Sequence, residues 1–451
     1  MVLFSSKSYD RQAFEEEAAR LNAAMQQPGS HHPVRIEMSF VEDALGEATM
    51  AQCPPGTDAV CGFVNDACIK PVLTFLSGRG VKLLLNRCAG FNNVDLHAAE
   101  SCGMRVMRVP AYNPQSIAEH AIALLMAVNR KTHVAHGRCQ RKNFDLQGLE
   151  GFALHGKTVA VIGAGNIGIC AAQIYLGFGC RVLYYNRSRK PELEDLGIKL
   201  SEIFGPWEGD PSGRCVHLPM KDKEASMDRL CELADVISIH ILLNPETFHM
   251  LSKPQFDKMK RQPVIINVAR GDVIDSEALV EALQNGKVGA AGLDVVEGEA
   301  GVFFGDHSQD EEDAWKNGAK KTMKQLLEHE HCMVTGHQAF LTHDALRQIA
   351  SITLQNALDH MDDTHPERKR VLGEGGSSHG HVEFQEMRSR DGSSRLVGPI
   401  ELNSVGLSDA ERAKAAEAAL AAMRREKWKK NITKVRNLAG LSRGLSNAFA
   451  N

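Results

Sequence analysis

Residues 158–168 read Thr-Val-Ala-Val-Ile-Gly-Ala-Gly-Asn-Ile-Gly, an apolar run followed by glycines at the spacing G-x-G-x-x-G. Val159 to Ile162 read as a buried strand, and a helix pattern runs from Ile167 through Ala171 to Ile174. In such a turn Gly163 permits the tight bend, Gly165 lets backbone approach a pyrophosphate, and Gly168 lets the helix pack on the strand. Asn166 and Ile167 complete the helix end, whose free N–H groups and dipole favour phosphate charge. The triplet alone is weak evidence, because many such matches are ordinary turns. Its place between a strand and a helix, with a second strand following, makes it a dinucleotide site.

The surrounding chain fits that reading. Its 451 residues allow two or three domains, and 43% apolar with 24% charged residues is the balance of a soluble globular protein. A net charge of −4 gives no overall basic field to draw nucleic acid, and no apolar run approaches the ~20 residues of a membrane span. Neither a signal peptide nor an Arg-rich presequence opens the chain, so a cytoplasmic location is expected. The 11 scattered cysteines suit reduced thiols, with neither a disulfide framework nor a metal site.

Outward from the fingerprint, the pattern predicts a parallel sheet with strands at Thr158–Ile162, Arg181–Tyr185, Val236–His240, Val264–Val268, Val288–Asp294 and Cys332–Thr335. Residues 1–110 repeat the alternation, with strands at Ala59–Val64, Val81–Leu85 and Met104–Val109 and another at the N-terminus. A largely apolar helix over 116–130 belongs in a core or against a second subunit. The stretch Leu200–Glu224 reads as a surface insertion, and 305–325 as a charged segment. Beyond about 365, Gly/Ser-rich linkers lead to a capping box at Ser408–Glu411 and a basic helix, read as solvated.

Four further segments carry chemistry: Arg87–Asp95, Asn267–Asp275, Gly292–Glu299 and Gly336–Thr342. They place an Arg, a carboxylate and a His at strand ends, where ligands of open α/β sheets bind. Arg suits two-point binding of a carboxylate, and a His oriented by an acid can pass a proton. Spacing alone leaves Glu297 and Glu299 equally plausible. Residue chemistry therefore reaches a nucleotide-binding α/β protein with an Arg/Glu/His site.

In order along the chain, R-C-A-G-F-N-N-V-D, V-P-A-Y, A-E-H-A-I, R-G-D-V-I-D and T-G-H-Q-A-F-L-T resemble the D-2-hydroxyacid dehydrogenase family. Within it they look most like the fermentative D-lactate dehydrogenases, over residues 1 to about 365. The resemblance implies two Rossmann-like domains, one of them flavodoxin-like and discontinuous, with the active site in the cleft between them. Residues 1–111 and the return segment 336–365 would form the substrate domain. Residues 112–335 would form the NAD(P)-binding domain, and 366–451 would lie outside the likeness. The 116–130 helix would sit in the interface of a homodimer or homotetramer.

By the same resemblance, Arg270 would hold the substrate carboxylate and keto oxygen, and His337 would be the acid. Glu299, five residues after Asp294, would pair with His337 in preference to Glu297. Ala89 and Gly90 would offer backbone N–H groups and Tyr112 would assist. Phe63 and Phe340 would crowd the substrate side chain and favour a methyl group, hence pyruvate reduced to D-lactate. Asp294 would join the fingerprint glycines in contacting the cofactor. Asn186 stands where most of the family has an Asp that repels a 2′-phosphate, and Arg187 and Arg189 follow at once. Acceptance of NADP(H) beside NAD(H) is therefore expected. The alternatives are a reductase of larger 2-keto acids, or a dinucleotide-sensing corepressor of the same fold. A formate dehydrogenase would carry Gln in place of Glu299.

Overall fold

The computed structural model describes residues 1–26, 35–204, 207 and 213–364. The capping box and the basic helix expected after 365 lie outside the described residues.

Among the described residues two all-parallel sheets organise the chain. The first has five strands, β1 (Val2–Leu3), β2 (Ser39–Phe40), β3 (Ala59–Gly62), β4 (Leu83–Asn86) and β5 (Arg105–Arg108), in the order β2-β1-β3-β4-β5. The second has seven, β6 (Thr158–Ile162), β7 (Arg181–Asn186), β8 (Cys215–Pro219), β9 (Val236–Ile239), β10 (Val264–Asn267), β11 (Ala290–Leu293) and β12 (Cys332–Val334). Its order is β12-β11-β10-β9-β6-β7-β8. Helices cover both faces, so central strands are buried on both sides and read as continuous apolar runs. Val159, Ala160, Val161 and Ile162 of β6 are all 0% exposed. Strand order reverses at β6, between β9 and β7, so the glycine turn that follows β6 opens at the switch point where dinucleotides bind.

One expectation is corrected. Residues 215–219, within the presumed surface insertion, form edge strand β8, paired in parallel with β7 from Val182↔Cys215 to Asn186↔Pro219. An edge strand buries only part of its side chains and tolerates a terminal proline, which weakens the apolar signal. The helix Pro191–Phe204 also reaches into that segment, and Lys223–Leu233 begins within it.

The helix Pro114–Arg130 buries Ile117, Ala118, Ala121, Leu124, Leu125 and Val128, at helical spacing, in a core shared with β6 and the helix Asn166–Gly177. The last of the described helices, His343–Thr364, returns to the first sheet, where Leu346, Ile349, Ala350 and Leu354 join Phe14, Leu21 and Leu85. Among the described residues no helix is long and apolar enough to cross a membrane. All 11 cysteines are free thiols.

Candidate active site

The loop after β4 begins the site. Arg87 turns inward: it is 1% exposed, donates to the carbonyls of Phe4 and Ser5 at 2.8 Å, and pairs with Asp10 at 3.4 Å. It is framework, and its guanidinium lies 4.6 Å over the Phe63 ring. The loop then exposes backbone. Arg108 Nη1 donates to the Ala89 carbonyl at 2.7 Å and Asn86 Nδ2 to the Gly90 carbonyl at 2.8 Å. Among the described residues the amide N–H groups of Ala89 and Gly90 donate to no protein group. A tight pair of half-buried, unspent donors is what an anion-binding loop provides.

Arg270 reaches this loop from the other sheet. It follows β10, and its Nη1 donates to the Ala269 carbonyl at 2.6 Å. Its other terminal nitrogen fills the space beside Gly90 so closely that a Cβ on Gly90 would collide with it. Burial pushes the Cys88 thiol up to about 12, with Arg270 and Arg87 pulling the other way. Burial likewise raises Tyr112, against the opposing charge of Arg270. Cys88, Tyr112 and Arg270 thus share one electrostatic neighbourhood.

His337 and Glu299 come together from loops 38 residues apart in sequence, with Nδ1 2.8 Å from the carboxylate Oε1. The other carboxylate oxygen accepts from the Val296 amide at 3.1 Å, which fixes the acid. Nε2 is left for a ligand. His337 adopts φ +57, a left-handed conformation that side chains rarely take, and its amide donates to the Asp294 carbonyl at 2.8 Å.

Asp294, expected among the cofactor contacts, is 0% exposed. Its carboxylate accepts from Thr335 Oγ1 at 2.6 Å and from the amides of Gln338 and Ala339 at 2.8 and 2.9 Å, with His120 Nε2 at 3.3 Å. Burial alone would raise this acid, but those hydrogen bonds hold it below the usual carboxylate range. The structure places Asp294 as the knot that shapes the His337 turn.

Glu297 is spent elsewhere. It takes His249 Nε2 at 3.0 Å and the Ser276 amide at 3.3 Å, and His249 also faces Asp275 at 3.6 Å. The backbone of Gly271 packs directly on that of Val296 and Glu297. The Arg270 loop and the Glu299 loop are therefore locked to one another.

The glycine turn fits a dinucleotide. Gly163 sits at φ +92 with its missing Cβ 2.6 Å from the His240 carbonyl oxygen. Gly168 packs against Gly163, so any side chain there would push the turn off the helix. At Gly165 nothing lies within 4 Å of a Cβ position, which leaves room for a phosphate at the N-terminus of helix Asn166–Gly177. Asn166 is exposed and Ile167 half-buried there. Behind the turn, His240 is a residue that the sequence did not single out. Burial lowers it to about 4, so its ring stays neutral, hydrogen-bonded to Ser238 Oγ at 2.8 Å.

At the end of β7, Asn186 Oδ1 accepts from the Ala164 amide at 3.2 Å and its Nδ2 donates to the Ser188 carbonyl at 2.9 Å. Arg189 pairs with Glu194, whose carboxylate also accepts from Tyr184 OH. Arg187 is exposed and makes no ion pair among the described residues.

Phe63 and Phe340 meet with ring centroids 5.7 Å apart. A third ring, Phe304, lies 5.2 Å from Phe63 and 5.7 Å from the His337 ring. Phe304 sits in a stretch without periodic pattern, where no sequence signal marked it.

Comparison with known proteins gives the chain's family. Residues 122–205 and 210–339 match the family described as D-isomer specific 2-hydroxyacid dehydrogenase, NAD binding domain. The chain is 38% identical over 358 residues to D-lactate dehydrogenase of Escherichia coli, covering 79% of this chain and 95% of that protein. It is 36% identical over 361 residues to 2-hydroxyacid dehydrogenase A of Aspergillus oryzae, covering 80% and 91%. The apo structure of the Escherichia coli enzyme superposes with a TM-score of 0.65 at 36% identity, over 80% of this chain and 96% of that one. A pyruvate reductase structure from Chlamydomonas reinhardtii gives 0.68 at 35% identity, over the same shares. With its switch-point glycine turn, two parallel sheets and ordered motifs, the chain belongs to the D-2-hydroxyacid dehydrogenase family.

Proposed function

We propose that this protein reduces pyruvate to D-lactate with a reduced nicotinamide cofactor, reversibly. The observation that carries the proposal is two half-sites on loops that pack together, Gly271 lying directly on the backbone of Val296 and Glu297. One is Arg270 against the open amides of Ala89 and Gly90; the other is His337 backed by Glu299. The names borne by the relatives, D-lactate dehydrogenase and pyruvate reductase, support the same substrate.

The chemistry follows from the parts. When bound, the reduced nicotinamide supplies hydride to the carbonyl carbon. The guanidinium of Arg270 takes the substrate carboxylate and keto oxygen in its fork, with the Ala89 and Gly90 amides completing the anion site and Tyr112 lining it. Negative charge grows on the keto oxygen, which Arg270 stabilises and His337 protonates from Nε2. Glu299 holds the ring through Nδ1, which leaves Nε2 for the transfer. The three rings of Phe63, Phe304 and Phe340 exclude water from the reacting carbon. Lactate oxidation reverses these steps, with His337 as base.

Residues 1–111 and 336–365 are assigned to the substrate unit, and 112–335 to the cofactor unit. The return of helix His343–Thr364 to the first sheet supports this division. Gly163, Gly165, Asn166, Ile167 and Gly168 would cradle the pyrophosphate, and Asn186 would face the ribose. We assign acceptance of NADPH beside NADH to Arg187. It is the arginine left over once Arg189 is held by Glu194. A cytoplasmic homodimer or homotetramer is the assembly this reading takes. Phe144 and Leu146, 73% and 76% exposed, supply apolar surface for it.

Assaying the full chain with a panel of 2-keto acids against NADH and NADPH tests the proposal. Pyruvate should give the highest kcat/KM, and Arg187→Ala should lower the NADPH value by about tenfold while sparing NADH. No oxidation of either cofactor by any 2-keto acid would return the corepressor reading to the front. A hundredfold preference for NADH in the unaltered protein would remove the 2′-phosphate site.

A further inference from the structure

We propose that Phe304 sets the size of 2-keto acid the site admits, as a yielding third wall of the side-chain pocket. This rests on the activity proposed above and assigns a specificity role to a residue outside the Arg270, Glu299 and His337 set.

Three loops supply the rings. Phe63 follows β3, Phe340 follows β12, and Phe304 hangs from the turn begun by Glu299, whose carbonyl accepts from the amides of Val302 and Phe303 at 3.0 Å each. Phe304 is thus tied to the same residue that orients His337. A side chain of the substrate leaving the carbonyl carbon beside His337 therefore runs toward these rings.

The rings differ in freedom. Phe63 and Phe340 are 7% and 6% exposed. Phe63 is pinned from behind by the Arg87 guanidinium, and its amide donates to the buried Asp66 carboxylate at 2.5 Å. Phe304 is only half-buried and makes an edge contact with Phe63, interplanar angle 72°. Its φ of +67 is a costly conformation for an aromatic residue. Local strain that persists beside reacting groups points to a functional constraint, since core packing would settle for less. The contact also joins the two sheets' units: Phe304 packs on the core of the first sheet although its chain segment belongs with the second. On this reading the space beneath the ring takes a methyl group. A longer side chain has to displace it, and with it the closure of the cleft.

The test compares kcat/KM for pyruvate and phenylpyruvate, with saturating NADH, in the unaltered protein and in Phe304→Ala, Phe304→Leu and Phe304→Tyr. Phe304→Ala should raise the phenylpyruvate-to-pyruvate ratio by about tenfold or more, as removal of one pocket wall does. Phe304→Leu should fall between, and Phe304→Tyr should stay near the original ratio. Inhibition by oxamate gives a readout that needs no turnover of the varied substrate. It should weaken in Phe304→Ala less than an N-benzyl analogue strengthens. A lowered Tm with an unmoved ratio in both Phe304→Ala and Phe304→Leu would show that the ring is core packing alone. That result sinks this inference and leaves the proposed activity standing. An unaltered protein inactive on every 2-keto acid sinks both.

Discussion

Replacing His337 by Ala will lower kcat for 2-keto acid reduction by roughly 10²–10⁴-fold and leave the cofactor's affinity near its original value, the range set by loss of a positioned proton donor. The reasoning is local. His337 Nδ1 is consumed by Glu299 at 2.8 Å, so only Nε2 can meet the substrate oxygen, and no other described side chain is bonded to Glu299 in the same way. Glu299→Gln keeps an acceptor at the same place but removes the negative charge beside the ring. Its kcat should fall less than that of His337→Ala, with little change in KM. The fold should tolerate both changes. The shape of the turn comes from Asp294, whose carboxylate gathers Thr335, Gln338 and Ala339 without using the imidazole. Stopped-flow measurement of a single turnover separates the chemical step from product release. A chemical step in His337→Ala within a few-fold of the original would remove this residue from the reaction.

Much of this arrangement was legible because several constraints coincided in few residues. The glycine turn demands a left-handed bend at Gly163, open space at Gly165 and a close packing contact at Gly168, all within one strand-to-helix junction. Central strands were legible because burial on both faces leaves no polar alternation. Strands that escape that rule were lost. β2 spans only Ser39–Phe40, and β8 lies at an edge and ends in Pro219. The helix Pro114–Arg130 announced itself by spacing, but its partner did not, because a buried face does not say what covers it. Side-chain direction is the other gap. Arg87 opens a motif yet points into the core, and Arg189 is held by Glu194. Glu297 and Glu299, two residues apart, could be told apart by resemblance but not by spacing. In space they diverge because Glu297 is already bound to His249 and Ser276. Phe304 carried no signal, since its place depends on a turn hung from Glu299 and on a ring from the other sheet.

Arg270 should show the opposite kinetic signature to His337. Removing its fork in Arg270→Ala strips the substrate of charge-assisted hydrogen bonds totalling about 3 kcal/mol, which corresponds to roughly a hundredfold loss in kcat/KM, carried chiefly by a higher KM. Arg270→Lys keeps the charge but not the two parallel donors, so it should recover only part of the loss. Equal and mild effects from Arg270→Ala and His337→Ala would contradict the division of labour between them. The neighbouring glycine gives a check that leaves the arginine in place. A Cβ at Gly90 would occupy the space of the Arg270 terminal nitrogen, the far end of a flexible side chain and not backbone. Gly90→Ala should therefore fold with a Tm close to the original while displacing the guanidinium from the Ala89–Gly90 amides. Its KM for pyruvate should rise by about tenfold or more, with NADH binding unchanged, because the cofactor's glycine turn lies on a different loop. Gly90→Ser should behave alike, since the collision begins at Cβ. A Gly90→Ala protein with an unaltered KM for every 2-keto acid would mean that Arg270 does not bind substrate from the position it holds beside this loop.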